Sequence, residues 1–258
     1  MDVKDVQIDK DAELNNEPVA VEPKDPAVLA MVEEMMRAGL FLGRKSSKTH
    51  PKMRSLVFGV RNGISMIDLE ETINLLNKAL DFIKTKAARG AILLVGTTPS
   101  AKKSVEEMAK QLGFPYVTER WLGGTLTNFK TLSKRVAYFK KLKSDKESGR
   151  LDKYTKKERL DFDREIKKLS VMFSGIEGMN SLPEVLFVVD ANGNLTAVRE
   201  ARRLKIPVVA IANTDINPDL VDYLIPANDR NKSSIDWILA RLAKVVLESK
   251  QEAPAEKV

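Results

Sequence analysis

Continuous apolar runs constrain the fold of this chain more than any other feature of its sequence. The clearest are AILLV at 91–95, EVLFVV at 184–189 and PVVAIA at 207–212. Such runs are typical of strands buried on both faces, which pair in parallel. Shorter runs at 115–118 and 223–226 bring the number of predicted parallel strands to five. Helical patterns lie between most of them, so the sequence predicts an α/β fold, a three-layer sandwich around a flavodoxin-like parallel sheet.

A helix, a β-hairpin and a second helix are predicted ahead of the first parallel strand. The helix at 28–40 has one apolar face, made of Val28, Met31, Val32, Met35 and Met36. Two short apolar runs flank Asn62-Gly63, a pair that favours a hairpin turn. The second helix has apolar residues at spacings of 4, 3, 4 and 3, namely Leu69, Ile73, Leu76, Leu80 and Ile83. The basic stretch before the hairpin contains Gly43 and Pro51, which predict a loop.

More than sixty residues separate the strands at 115–118 and 184–189, and they break the alternation. Their apolar residues form two groups at spacings of three and four, Phe129, Leu132, Val136 and Phe139, then Phe162, Ile166, Leu169 and Phe173. A polar, turn-like segment separates the groups. The pattern predicts an antiparallel helical hairpin with coiled-coil spacing. We expect it to project from the α/β body, since so narrow a seam buries little besides itself.

These patterns divide the chain into four parts. We expect a flexible acidic N-terminal tail at 1–26, an α/β domain at 27–125 and 175–247, an inserted basic helical hairpin at 126–174, and a C-terminal tail at 248–258. The first part is polar and contains three prolines, a composition typical of a flexible segment.

Charge is distributed unevenly along the chain, whose net charge is +7. Residues 1–26 hold eight acids and three lysines, whereas residues 40–61 hold six basic residues and no acid. Residues 126–170 hold 15 basic and 7 acidic side chains. Protein surfaces normally intersperse both signs, so the acid-free stretch indicates a polyanionic partner. For the longer segment, an ordinary solvated surface is the alternative.

Several function classes are excluded by composition. The chain has no cysteine and a single histidine, His50, which excludes thiol catalysis and cysteine-ligated or histidine-rich metal sites. No apolar run approaches the roughly 20 residues of a membrane helix, and the acidic N-terminus differs from a secretory signal, so we expect a cytoplasmic protein. The segment from Gly96 to Lys103 departs from a phosphate-binding loop, because Ala101 replaces the second glycine.

We therefore expect no enzymatic activity, no cofactor, no metal and no small-molecule substrate. One competing hypothesis is a magnesium-dependent phosphotransferase that uses Asp190 and Asp215 at predicted strand ends. Aspartates at such ends more often make turns and cap helices. Another competing hypothesis is an RNA-binding regulator that acts away from any larger particle.

Several motifs together resemble one known family. They are AGLFLG at 38–43, HPKM at 50–53, FGVRNGISMIDLEET at 58–72, RWLGGTLTNFKT at 120–131 and EARRLKIPVVAIANTDINPDLVDYLIPANDR at 200–230. In this order they resemble the bacterial small-subunit ribosomal protein S2 family. Two departures stand out, because Phe41 and Arg44 occupy positions that are usually histidine in the family.

The resemblance implies a structural protein of the small ribosomal subunit that binds rRNA and supports translation in the cytoplasm. It also implies neighbouring ribosomal proteins as partners, including the large S1 protein, and no membrane. It assigns no role to the acidic extension at 1–26.

The candidate rRNA-binding residues are the cations and polar residues of the basic segments and neighbouring loops. They are Arg44, Lys45, Lys48, His50, Lys52, Arg54, Arg61, Asn62, Lys102, Lys103, Arg120, Asn128, Lys130, Lys134 and Arg135. Lys and Arg neutralise phosphates, whereas Asn can contact a base edge. Trp121 either stacks on a base or fills the junction between the body and the hairpin.

Overall fold

The computed structural model describes residues 26–87 and 90–252. Its elements in chain order are α1 (Pro26–Ala38), β1 (Leu42–Lys45), β2 (Val57–Arg61), β3 (Ile64–Ile67), α2 (Leu69–Ala87), β4 (Ile92–Val95), α3 (Pro99–Leu112), β5 (Tyr116–Val117), α4 (Phe129–Glu147), α5 (Lys156–Phe173), β6 (Val185–Val189), α6 (Leu195–Arg203), β7 (Val208–Ala212), β8 (Tyr223–Pro226) and α7 (Lys232–Glu252). Most of the two predicted tails lies outside the described residues.

The central sheet contains the five parallel strands that the sequence predicts. Their order is β5-β4-β6-β7-β8, and every neighbouring pair is parallel. This is the flavodoxin-like order, in which the chain reverses direction across the sheet after its first two strands. The α/β prediction is therefore confirmed, with strand ends that differ from the predicted ends by about one residue.

Helices cover both faces of this sheet. Neighbouring residues of a strand point to opposite sides, so each strand contributes side chains to two separate cores. In β4, Ile92 and Leu94 belong to a core shared with α1, α2, α3 and α7. Leu93 and Val95 belong to a second core, which includes residues of α4, α5 and α6. All four are fully buried.

The predicted stripe of α2 lies in the first core, where all five of its residues are buried. Asp68 begins this helix, since its Oδ1 accepts the backbone N–H of Glu70 at 2.9 Å and of Glu71 at 3.3 Å. The prediction for α1 is wrong at one position. Met35 is fully buried, but Met36 is 52% exposed, because successive residues of a helix lie about 100° apart.

A second sheet contains β1, β3 and β2 in that order, all antiparallel, and we call it the small sheet. Its predicted hairpin is present, with φ angles of 51° at Asn62 and 73° at Gly63. The loop prediction for the basic stretch is wrong at β1. A Cβ atom on Gly43 would lie 2.4 Å from the carbonyl oxygen of Ser65, so this glycine permits close strand pairing.

Helices α4 and α5 pack antiparallel. Tyr138 donates to Glu165 at 3.3 Å, and the rings of Phe139 and Phe173 lie 6.5 Å apart. The prediction that the apolar residues of this hairpin pack almost only against one another is wrong where the hairpin meets the central sheet. Phe139 is only 2% exposed and belongs to the second core together with Leu186 of β6. The hairpin therefore helps to cover one face of the central sheet.

Candidate functional site

Arg44 of β1 connects the small sheet to the carboxyl ends of the central strands. Its Nη2 lies 2.8 Å from Oδ1 of Asp229, and its Nε lies 3.3 Å from Oδ2 of Asp215. Its backbone N–H donates to the hydroxyl of Thr214 at 3.1 Å. The Arg44 side chain is only 15% exposed, so its charge interacts mainly with these two aspartates and little with solvent.

Asp229 is completely buried, and this environment changes its protonation. Burial raises the pKa of its carboxyl to about 7, and the nearby Asp190 carboxylate adds to the shift, while Arg44 opposes it. One oxygen of Asp229 and one of Asp215 are buried without a hydrogen-bond partner among the described residues. The positive charge and the N–H groups of Arg44 therefore satisfy these carboxylates only in part.

His50 and Lys52 also hold the basic stretch against the body. The backbone N–H of His50 donates to the Thr214 carbonyl at 2.8 Å, and its Nδ1 accepts the backbone N–H of Lys52 at 3.2 Å. Lys52 also forms an ion pair with Asp219. His50 thus caps a short 3₁₀-helix at Pro51–Leu56, a structural role within the fold.

The other predicted residues of the basic stretch are exposed. Lys45, Lys48, Arg54 and Arg61 form no ion pair with any described residue, and Asn62 is exposed in the hairpin turn. The structure thus divides this stretch in two. Arg44, His50 and Lys52 hold it in place, while Lys45, Lys48, Arg54 and Arg61 face solvent.

The loop at 120–128 is organised by Glu200 of α6, which is only 8% exposed. Its Oε1 accepts the indole N–H of Trp121 at 3.0 Å and the backbone N–H of Gly124 at 2.8 Å. Its Oε2 accepts the backbone N–H groups of Leu126 and Thr127, both at 3.1 Å. Burial alone would raise the pKa of Glu200, but the hydrogen bonds from Trp121 and these amides outweigh it and lower the pKa.

Sequence reasoning did not assign Glu200 a role, although a signal for it exists. It lies beside Ala197 and Ala201 on the buried face of α6, where a charged residue is rare unless it has partners. Trp121, only 9% exposed, belongs to the second core, so it fills the junction between body and hairpin.

The remaining predicted residues lie near the first helix of the hairpin and on α3. Lys102 pairs with Glu119, and Lys103 lies 3.8 Å from Glu107. Asn128 precedes α4, with no side-chain hydrogen bond that caps the helix. The others are exposed and form no ion pair within the described ranges, namely Arg120, Lys130, Lys134 and Arg135.

One oxygen of each aspartate in the enzyme hypothesis accepts hydrogen bonds within the fold. Oδ1 of Asp190 accepts the backbone N–H of Gly193 at 2.8 Å. Oδ2 of Asp215 accepts from Arg44 and from Asn192. Within residues 26–87 and 90–252, no group of three or more His, Cys, Asp or Glu side chains is placed to hold a metal ion.

No helix in the described part of the chain combines the length and apolar character that crossing a bilayer demands.

A family model described as Ribosomal protein S2 matches residues 35–249 of this chain. The chain belongs to the ribosomal protein S2 family. Among its relatives is a protein named small ribosomal subunit protein uS2, from Roseiflexus sp. (strain RS-1). The two are 43% identical over 221 residues, which make up 85% of this chain and 84% of the relative. The family resemblance seen in the sequence motifs is therefore confirmed. The S2 match includes the small sheet, the α4–α5 hairpin and the central sheet, whereas the acidic residues 1–26 lie outside it.

Proposed function

We propose that this S2 protein is a structural constituent of the small ribosomal subunit in the cytoplasm, where it binds rRNA and supports translation without catalysis. One observation carries the proposal. Lys45, Lys48, Arg54 and Arg61 are exposed without acidic partners in the described structure, within a stretch of sequence that contains no acid. Membership of the S2 family and the name of the Roseiflexus relative support the same function.

Binding is electrostatic and depends on shape. Each cation that neutralises a phosphate releases a counterion, so affinity falls steeply as salt rises. The deep groove of an RNA helix admits few side chains, and we expect contacts with phosphates, 2′-hydroxyls and exposed loops. Exposed cations of α4, together with Arg120, provide a second contact region.

The fold holds these two contact regions on one scaffold. Arg44 connects the small sheet to Asp215 and Asp229, and Glu200 fixes the loop that leads into α4. A positioned cation loses less freedom on binding than a cation on a flexible chain, so this scaffold favours RNA segments held at a matching separation.

The protein partners of this chain are inferred from its family and not from particular residues. We propose that neighbouring small-subunit proteins, including the large S1 protein, contact this chain on the assembled particle. The phosphotransferase hypothesis has less support, because the Asp215 carboxylate that would bind magnesium already accepts hydrogen bonds from Arg44 and Asn192.

A matched pair of variants tests the proposal. The first replaces Lys45, Lys48, Arg54 and Arg61 with Gln. The second replaces two lysines and two arginines that are exposed elsewhere, Lys78, Arg199, Arg203 and Lys244, with Gln.

Both variants lose the same charge, so a difference between them reports the location of the interface. For the first variant, we expect the affinity for small-subunit rRNA to depend less steeply on salt. The magnitude of the slope of log affinity against log salt should fall by about 3, because each lost phosphate contact removes about 0.7 to 0.9 from it. We also expect weaker co-sedimentation with small subunits. Equal losses for both variants would contradict the proposed interface.

The competing hypotheses predict other results. Saturable thermal stabilisation by a nucleotide with magnesium would favour the phosphotransferase. Strong RNA binding without co-sedimentation would favour a regulator outside the ribosome.

A further inference from the structure

The chain contains two Asn-Gly pairs, Asn62-Gly63 and Asn192-Gly193, and the structure holds them in opposite environments. An asparagine that precedes glycine can react with its own backbone, because glycine has no side chain to shield its nitrogen from the neighbouring carboxamide. Both asparagines are exposed, so exposure alone does not distinguish them. The hydrogen bonds of the two glycine N–H groups and the charges nearby do.

The amide nitrogen of Gly63 is available for such a reaction. Asn62 and Gly63 are the central residues of the turn between β2 and β3, and their φ angles of 51° and 73° are typical of a type I′ turn. The strand pairing joins the flanking residues, Arg61 and Ile64. The N–H of Gly63 has no hydrogen-bond partner among the described residues. A Cβ atom added to Gly63 would meet nothing within 4 Å, so water reaches the turn.

The amide nitrogen of Gly193 is engaged instead. Its N–H donates to Oδ1 of Asp190 at 2.8 Å, and the Asn192 carboxamide donates to Oδ2 of Asp215 at 3.1 Å. Hydrogen bonds to a charged acceptor are stronger than those between neutral groups, and attack by this nitrogen requires one to break. Carboxylates therefore hold both reacting groups of the second pair.

The charges around the two pairs also differ. Asn62 directly follows the acid-free stretch at 40–61. The exposed cations Lys45 and Arg61 flank the base of the turn between β2 and β3. Positive charge favours the deprotonated amide nitrogen that makes the attack, whereas the carboxylates beside Asn192 disfavour it. Hydrogen bonding and electrostatics thus both favour reaction at Asn62.

We propose that Asn62 is a self-modification site. The Gly63 nitrogen attacks Cγ of the Asn62 carboxamide and forms a C–N bond, and the side-chain nitrogen leaves as ammonia with the proton of Gly63. Water then opens the cyclic imide at one of its two carbonyl groups, which yields aspartate or isoaspartate. Either product carries a carboxylate. In isoaspartate the main chain also passes through the former side chain and becomes one atom longer.

The reaction requires the turn to open briefly. In a type I′ turn the first central residue directs the following nitrogen away from its own side chain, so Asn62 must leave the left-handed region before Gly63 can attack. An exposed turn between strands of five and four residues opens more readily than a core element does. RNA bound across the turn keeps it closed, so a free chain is modified and a bound chain is protected.

The modification opposes RNA binding, a consequence that rests on the proposed function. It places a negative charge beside cations that otherwise face no acid. Isoaspartate also lengthens a turn that fixes the register of β2 against β3. Chains that stay unbound for long therefore lose affinity, which favours fresh chains for assembly.

The modification is measured on the full chain without RNA. The chain is kept at pH 8 and physiological temperature, and peptide mass spectrometry follows the conversion of Asn62 and Asn192 with time. We expect Asn62 to react at least about tenfold faster, because an N–H bonded to a carboxylate reacts only after that bond has broken. Equal rates, or faster reaction at Asn192, would overturn the proposal.

A variant tests the physical cause of this difference. Asp190→Ala removes the acceptor of the Gly193 N–H, and we expect it to raise the rate at Asn192 about fivefold while the rate at Asn62 stays unchanged. Circular dichroism checks that the variant is folded. A folded variant in which Asn192 reacts no faster would show that the hydrogen bond does not protect it, and would contradict the mechanism. The comparison within the wild-type chain does not depend on this variant.

A second experiment measures protection by small-subunit rRNA at low salt. When about 90% of the chains are bound, conversion of Asn62 should fall about tenfold, because only the free fraction reacts. Unchanged conversion in the bound chain would overturn the protection.

The loss of affinity is tested with a matched pair of variants. Asn62→Asp should weaken rRNA binding about threefold, whereas Asn77→Asp, which adds the same charge at an exposed position of α2, should not. Equal binding by the two variants would overturn the effect on affinity. If rRNA bound to no chain, the proposed function would fail, and the rates in the free chain would still decide whether Asn62 is modified.

Discussion

The small sheet and the α4–α5 hairpin are both basic, but they are attached to the central sheet in different ways. The small sheet is held by polar contacts at the strand ends, above all the ion pairs of Arg44 with Asp215 and Asp229. The hairpin is held by apolar packing, because Phe139 and Phe173 belong to the second core. One attachment depends on charge and pH, and the other depends on the exclusion of water.

Their cations also differ in what surrounds them. In the hairpin, several cations already have acidic partners, such as Lys146 with Asp163 at 2.7 Å and Arg164 with Asp161 at 3.3 Å. Exposed pairs of this kind contribute little to stability, but they reduce the charge that RNA meets. The small sheet holds no acid in its basic stretch. The acids placed among the cations of a segment therefore indicate more about its partner than the number of its cations does.

The largest effect is expected where the hairpin enters the core. Phe139→Asp places a carboxylate among fully apolar neighbours, and we expect it to lower the free energy of unfolding by at least about 4 kcal/mol. Circular dichroism should show loss of the whole fold rather than of two helices. Leu160→Asp, at a position that is 50% exposed, is the matched control and should be nearly neutral. Separate melting of the hairpin in the Phe139 variant would show that its attachment is weaker than the packing indicates.

A smaller effect is expected at the polar attachment of the small sheet. Arg44→Ala leaves Asp215 and Asp229 without their cation, and we expect a loss of about 3 kcal/mol at pH 8, measured by urea unfolding. At pH 5 the loss should be smaller, because Asp229 is then protonated. Arg54→Ala, which removes an exposed cation nearby, should change stability by less than about 0.5 kcal/mol. Equal losses in both variants would mean that the ion pairs do not anchor the sheet.

The smallest effect concerns pH alone. The pKa of Asp229 is raised to about 7, so the protonated form favours the folded state. Its contribution to stability is fully present below the pKa of the unfolded chain, near 4, and is lost as pH rises through 7.

We therefore expect the wild-type chain to lose about 2 kcal/mol between pH 5 and pH 8 relative to Asp229→Asn, which cannot ionise. Urea unfolding at each pH measures the difference. Parallel stability curves for the two chains would show that Asp229 does not ionise in this range.

Most of the fold could be predicted from local patterns. The strands at 92–95, 185–189 and 208–212 are continuous apolar runs, and the stripe of α2 repeats with the helical period. Such patterns are visible because burial on both faces of a strand, or on one face of a helix, imposes a regular spacing. Met36 shows the limit, because spacing alone did not show where the apolar face of α1 ends.

The candidate site was less predictable. Arg44, His50 and Lys52 lie in the same basic stretch as the exposed cations Lys45 and Lys48, but their contacts also attach the small sheet to the body. Their partners lie about 165 or more residues away in sequence, in loops whose own patterns resemble ordinary turns. No local signal distinguishes such a cation from Lys45 or Arg61.

Local sequence is enough to predict the alternation of strands and helices, the hairpin at Asn62-Gly63 and the separation of acidic and basic segments, because each depends on neighbouring residues. Three-dimensional packing is needed to show that Arg44 points inward to Asp229, that Glu200 binds the loop before α4 and that Phe139 covers the central sheet. Each of these contacts joins residues that are distant in the chain. Such a contact can stabilise the protein only after folding has brought its two residues close together.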